Sequence, residues 1–149
     1  MPSSPESDPT IFSLAEANAA LPKVMPLIEQ LQELQRAIFD SQQQREKLTN
    51  TLARGNGHSQ TALQDQLHAE TARQDQLVAE AETTFYELSA CGAMLKDLES
   101  GLLDFYGERA GETILLCWRL GEPMCIQHWH TLNGGFAGRQ PVDELVRST

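Results

Sequence analysis

Residues 101–139 decide the fold of this chain: GLLDFYGERAGETILLCWRLGEPMCIQHWHTLNGGFAGR. They include both tryptophans, two of the three cysteines, two of the four histidines and seven of the ten glycines. Residues 113–120 are mostly apolar and rich in β-forming types, which predicts a well-covered strand. After the turn Gly121-Glu122-Pro123, residues 124–130 alternate as a returning strand does. These two strands and their turn predict a β-hairpin in the C-terminal region. Residues 101–107, which precede it, favour a turn with a short extended segment.

The sequence before this region predicts helix. Ser13 and Glu16 match a capping box, in which each side chain satisfies a backbone N–H, so order is expected to begin at residue 11 and the helix at Leu14. Pro22 has no backbone donor, and we expect a kink or a restart of the helix there. From that point an apolar stripe at three- and four-residue steps continues to about residue 53.

A second helix is predicted after a turn. Residues 54–58, RGNGH, contain the clearest helix-breaking cluster of this half. The apolar spacing then resumes and continues to Leu95. A short turn makes the two helices antiparallel neighbours. The predicted fold class is mainly α with a small β element: a long antiparallel helical hairpin capped by a C-terminal β-hairpin.

The expected domain organisation is simple. Residues 1–10 contain three prolines and three serines and are expected to be a disordered leader. Residues 11–140 are expected to form a single domain, and residues 141–149 a weakly ordered tail. At 149 residues the chain has the length of one ordinary domain.

Charge and cysteine usage narrow the choice of partners and compartment. The formal net charge is −10, and such a surface repels nucleic acid and anionic lipid, so neither nucleic acid nor membrane is an expected partner. The three cysteines have no metal-finger spacing, and no apolar leader precedes them. We therefore expect a cytoplasmic protein with free thiols. Cys91, Cys117 and Cys125 could supply thiolate ligands or a nucleophile, but their apolar neighbours favour inert buried thiols.

Several short motifs together resemble a bacterial family known as domain-of-unknown-function family 2203. They span residues 12–139 and comprise Phe12 with Glu16-Ala17-Asn18, Leu21-Pro22-x-Val24, Lys96-Asp97, Gly101-Leu102-x-Asp104-Phe105, Leu116-Cys117-Trp118-x-x-Gly121-Glu122, Trp129-His130 and Gly135-Phe136-x-x-Arg139. The resemblance implies a single domain and no particular activity.

An H-x-H pair is the first candidate site. His128 and His130 lie two residues apart on the predicted strand, so both imidazoles point to one face, where they could converge on a cation. Glu122 could add a carboxylate, as could Asp104. Two histidines and one carboxylate suit zinc or iron. The alternative is that both imidazoles make ordinary hydrogen bonds at the rim of the hairpin.

A polar cleft is the second candidate site. Charged residues in a small apolar region need partners, because burying an unpaired charge costs several kcal/mol. We expect six ionisable side chains to converge in one cleft beside Trp118 or Trp129, either as a clamp that fixes the hairpin to the helices or as a pocket for an anion: Asp104, Arg119, Glu122, His128, His130 and Arg139.

The favoured function is a binding or interaction module without catalytic chemistry, whose cleft recognises a protein or a small anionic ligand. The alternative is a small metalloprotein, hydrolytic or oxidative, with zinc or iron at the H-x-H pair. The sequence lacks the second cluster of acids and bases that a catalytic site usually shows, which argues against an enzyme. Because apolar residues such as Phe39 and Val78 broaden the helices beyond one seam, we also expect a homodimer.

Overall fold

The computed structural model describes residues 10–55 and 60–143. Two helices are followed by five strands: α1 (Leu14–Arg54), α2 (Gln60–Ala90), β1 (Met94–Asp97), β2 (Leu102–Arg109), β3 (Glu112–Arg119), β4 (His128–Thr131) and β5 (Gln140–Pro141). The predicted fold class is confirmed, since two long packed helices precede a smaller antiparallel sheet. Most of the predicted leader, most of the predicted turn at 54–58 and most of the predicted tail lie outside the described residues.

The start of α1 is fixed by its capping box. The Ser13 N–H donates to Glu16 Oε1 at 2.8 Å, and the Glu16 N–H donates to Ser13 Oγ at 3.0 Å, as the sequence predicted. The predicted restart at Pro22 does not occur, because α1 continues unbroken through Pro22 and Pro26. Both prolines lie on the exposed side of the helix, while Leu21, just before Pro22, and Val24, between the two prolines, are fully buried. Burial of that apolar face outweighs the loss of two backbone donors.

The end of α2 is earlier than the apolar spacing predicted. The helix ends at Ala90, and Leu95 belongs to β1, so the predicted continuation to Leu95 is wrong. Gly92 has φ +89°, a left-handed conformation that terminates helices. The ring of Phe12 occupies the space that a side chain on Gly92 would need.

The sheet is larger than the predicted hairpin. Its five strands follow chain order, each antiparallel to the next. The segment predicted as a turn with a short extended piece is in fact β2. It joins β3 through Ala110 (φ 52°) and Gly111 (φ 84°), two positive φ angles that are typical of a type I′ turn.

The returning strand is shorter than predicted. Residues 124–127 are not part of it, and β4 begins at His128. The Ile126 N–H donates instead to Asn18 Oδ1 of α1 at 2.6 Å, which holds this segment against the helix. Between β4 and β5 the chain forms a short 3-10 helix, Phe136–Gly138.

The two faces of the sheet differ in chemistry. Neighbours in register on antiparallel strands share a face, so the row Phe105, Leu116 and Trp129 lies on one side. Phe105 on this face packs on Phe12, with ring centroids 5.2 Å apart. The adjacent row Asp104, Cys117 and His128 lies on the opposite side. The second face is therefore where polar side chains gather.

The described residues form two compact units. The sheet unit contains the described residues up to Glu29 and from Glu87 onward, and the helical unit contains residues 30–86. Within the helical unit the two helices share an apolar seam with Leu31, Leu34 and Leu48, each at most 7% exposed. Neither described helix has the length and apolar character needed to cross a membrane.

Candidate metal centre

Three donor atoms from three strands converge on the polar face of the sheet. They belong to Asp104 on β2, Cys117 on β3 and His130 on β4, and all lie within 4.8 Å of one another. The three residues are 1–3% exposed. Ligand atoms around a tetrahedral zinc ion are about 3.5 Å apart, because each lies about 2.0–2.3 Å from the metal. Closing the trio around such an ion requires shifts of the order of 1 Å.

The orientation of His130 is fixed by the backbone. Its Nδ1 lies 2.7 Å from the carbonyl oxygen of Thr131, and because a carbonyl only accepts, Nδ1 carries a proton. Its Nε2 lies 3.1 Å from Asp104 Oδ1. Histidines that bind metals usually donate their other ring N–H to a carbonyl or carboxylate in this way. The hydrogen bond from Nδ1 to Thr131 thus directs His130 Nε2 toward Asp104 Oδ1. One proton, or one metal ion, can bridge Nε2 and Oδ1.

Cys117 is held as a thiol. Burial, and after it the charge of Asp104, raises the pKa of Cys117 to about 12. A nucleophilic cysteine needs the opposite shift, toward the thiolate, so this environment argues against covalent catalysis. A metal ion reverses the preference, because a coordinating thiol loses its proton.

A salt bridge between Glu122 and Arg139 lies beside the trio of Asp104, Cys117 and His130. Arg139 Nη2 donates to both carboxylate oxygens of Glu122, at 2.8 and 2.7 Å. Glu122 Oε1 also accepts from the backbone N–H of Arg119 at 2.8 Å. The guanidinium groups of Arg119 and Arg139 lie 4.9 and 4.6 Å from the centre of the Phe136 ring. Because Glu122 balances the charge of Arg139, this arrangement has the character of a clamp more than of an anion pocket.

His128 lies between the trio and this salt bridge. It is opposite Cys117 in the sheet register, and its side chain is 35% exposed. Its Nδ1 is 4.0 Å from Glu122 Oε2, which is too far for a hydrogen bond. That nitrogen is itself buried and has no hydrogen-bond partner among the described residues.

Most of the residues predicted from the sequence meet on this face. The structure places Asp104, Glu122, His128, His130 and Arg139 there, with Arg119 at the exposed edge. The tryptophans are not part of the group, because both lie on the face that bears Phe105. Trp118 Nε1 donates to the carbonyl of Pro123 at 2.9 Å. Trp129 Nε1 donates to the carbonyl of Pro141 at 3.2 Å.

Two members of the site were not identified from the sequence. For Cys117 an inert buried thiol was favoured over a thiolate ligand, although Cys117 lies directly opposite Asp104. The signal that would have revealed this is the Ala110-Gly111 turn, since a two-residue turn there fixes the pairing of residues 104 and 117. Phe136, whose ring centre lies 4.9 Å from the Arg119 guanidinium and 4.6 Å from that of Arg139, entered the sequence analysis only as part of a family motif. No spacing rule links it to Arg119.

The fold defines a mainly helical protein with a small antiparallel sheet, and the site defines a cluster of potential metal ligands on that sheet. The model of a family described as uncharacterized conserved protein, DUF2203, matches residues 10–142. The chain belongs to this family. No curated protein and no solved structure shows significant similarity to it.

Proposed function

We propose that this protein is a metal-binding module that holds a zinc-class ion through Asp104, Cys117 and His130. The observation that supports this most is the convergence of three buried donor atoms, all within 4.8 Å of one another. Burying a carboxylate, a thiol and an imidazole together costs free energy that a core of apolar residues would avoid. A bound cation offsets that cost.

The donor set favours zinc over the harder cations. Thiolate and imidazole ligands suit zinc, whereas magnesium and calcium prefer sites made entirely of oxygen. Iron remains the second metal to test, because imidazole and carboxylate ligands also suit it. The sequence predicted His128 and His130 with a carboxylate from Glu122 or Asp104. The trio retains His130 and Asp104, adds Cys117, and leaves out Glu122, whose oxygens are engaged by Arg139.

The bound metal has a structural role in this proposal, and the protein acts by binding without catalysing a reaction. A catalytic metal needs an open position that substrate reaches, whereas the three ligands here are almost completely buried. A reduced Cys117 also fits the cytoplasmic location expected from the cysteine usage. An anionic ligand is less well supported, because Glu122 already neutralises Arg139.

Elemental analysis of protein purified without a histidine tag or chelator tests the proposal. We expect about one zinc ion per chain, either as isolated or after addition of zinc and removal of the excess. His130→Ala is expected to lose the metal while the far-UV circular dichroism of the helices is kept. His68→Ala, which changes an exposed histidine on α2, is the matched control and should keep the metal. A wild-type protein that takes up neither zinc nor iron contradicts the proposal.

A further inference from the structure

We infer that His128 is the fourth metal ligand, through Nδ1, and that it completes a closed site with Asp104, Cys117 and His130. This inference rests on the metal-binding function proposed above. It assigns to His128 a role that the trio alone does not reveal. It also defines the coordination as four-coordinate with one sulfur, two nitrogen and one oxygen donors.

The sheet register provides the first argument. Asp104 pairs with Cys117, and Cys117 pairs with His128, so the three residues form one row across β2, β3 and β4. Directly opposite residues on antiparallel strands point to the same face, with Cβ atoms about 4.5–5.5 Å apart. His130, two residues further along β4, points to that face as well. All four side chains therefore start from adjacent positions of one surface.

The environment of His128 Nδ1 provides the second argument. Buried polar atoms in folded proteins nearly always have a hydrogen-bond partner, yet this nitrogen has none among the described residues. Its nearest carboxylate, Glu122, is 4.0 Å away, and the oxygens of Glu122 accept hydrogen bonds from Arg139 and from the Arg119 N–H. A coordinating metal would satisfy the nitrogen. The exposed third of the side chain leaves room for the imidazole to turn toward Cys117.

Coordination chemistry provides the third argument. Structural zinc sites are almost always four-coordinate, and the trio supplies three ligands. Among the described residues on this face, the candidates for a fourth ligand are the imidazole of His128 and the carboxylate of Glu122. Glu122 is already bound to Arg139 through both oxygens, so His128 is the ligand that can be recruited without breaking a salt bridge. With four protein ligands the metal has no position left for a substrate.

The test is long-range proton–nitrogen correlation NMR of the histidine side chains in uniformly ¹⁵N-labelled wild-type protein, before and after addition of one equivalent of zinc. We expect the resonances of His130 Nε2 and His128 Nδ1 both to move to the positions of metal-bound imidazole nitrogen. Replacing zinc by ¹¹³Cd should produce a one-bond coupling to each of these two nitrogens. His68 serves as the internal reference whose resonances stay in place.

A variant series supplies an independent readout. His128→Ala is expected to keep one zinc ion per chain but to weaken zinc affinity by about tenfold or more in a competition titration with a chelating indicator. His68→Ala should bind zinc as the wild type does. If zinc moves only the His130 resonances, or if His128→Ala binds as tightly as wild type, His128 is not a ligand and the three-residue site stands alone. If zinc moves neither histidine and no metal binds, this inference and the proposed function both fail.

Discussion

The helical unit and the sheet unit both bury polar side chains, but they satisfy them in different ways. In the helical unit, Ser41 Oγ donates to Glu70 Oε2 at 2.5 Å and Arg45 Nη1 donates to Gln74 Oε1 at 2.8 Å, so each pair joins the two facing helices. In the sheet unit, Asp104, Cys117 and His130 direct three donor atoms to one point.

Buried polar side chains thus have two different roles: in the helical unit they stabilise the fold, and in the sheet unit they could bind a ligand. Pairs across a helical seam direct their polar atoms at each other, and their main effect is to fix how the two helices align. Donor atoms that converge from three strands retain the capacity to bind a cation. A buried polar residue therefore indicates a binding site only when its neighbours are potential ligands directed to the same point.

The largest expected effect comes from placing an unpaired charge in the helical seam. Leu31 is 5% exposed, so Leu31→Asp buries a carboxylate without the partner that Glu70 has in Ser41. We expect a loss of about 3–5 kcal/mol in the free energy of unfolding, enough to unfold much of the protein. Urea denaturation followed by circular dichroism measures the loss, with Gln35→Asp, an exposed position of α1, as the control. A stable Leu31→Asp protein would mean that water reaches the seam. Polar residues there would then need no partner on the facing helix.

The next effect concerns the outer surface of the helical unit. We propose that this surface forms a homodimer, because it exposes Phe39 by 58%, Phe85 by 50% and Tyr86 by 75%. Tyr86→Glu is expected to weaken the dimer by about 2 kcal/mol, roughly thirtyfold in the dissociation constant. Light scattering coupled to size-exclusion chromatography measures the mass at tens of micromolar. A wild-type mass equal to one chain would leave these aromatic residues without a partner and the homodimer without support.

The smallest effect tests one polar pair of the seam. The hydrogen bond from Ser41, and after it the contacts of Arg73, lower the pKa of Glu70 below its ordinary value of 4.5. A lowered pKa means that the ionised form stabilises the fold above the unfolded-state pKa, and that this contribution is lost as the pH falls through the folded-state value. Ser41→Ala should therefore cost about 1 kcal/mol at neutral pH and progressively less below pH 4.5.

Denaturation at a series of pH values checks this expectation. Ser89→Ala, an exposed serine of α2, is the control for the change in helix propensity. A cost that is the same at acid and neutral pH would show that Ser41 stabilises the seam by packing alone.

Local sequence signals predicted the helices well and the sheet less well. The capping box at Ser13 and Glu16 fixed the start of α1, because it depends only on residues three positions apart. The end of α2 was missed because Leu88 and Leu95 continue the apolar step across Gly92, where the backbone leaves the helix. β2 was hidden because its flanking glycines favoured a turn.

The sequence predicted several residues of the candidate site but not how they are arranged. Asp104 was identified as a charged residue in an apolar region and His130 as one half of the H-x-H pair, and both signals are local in the sequence. Their convergence with Cys117 depends on the register of β2 with β3 and of β3 with β4. The first register follows from a two-residue turn without the usual Asn-Gly signature, and the second spans an eight-residue connection whose path depends on contacts with α1 such as Asn18 to Ile126.

Reconstitution with cobalt(II) tests most directly whether Asp104, Cys117 and His130 form a metal site. Cobalt bound to a thiolate shows a sulfur-to-metal charge-transfer absorption that nitrogen and oxygen ligands do not produce. If the site binds cobalt, the wild-type protein shows this absorption and Cys117→Ser loses it. Cys125→Ser, which changes the exposed cysteine, keeps it. Absence of cobalt binding, or binding with no thiolate absorption, would contradict the site.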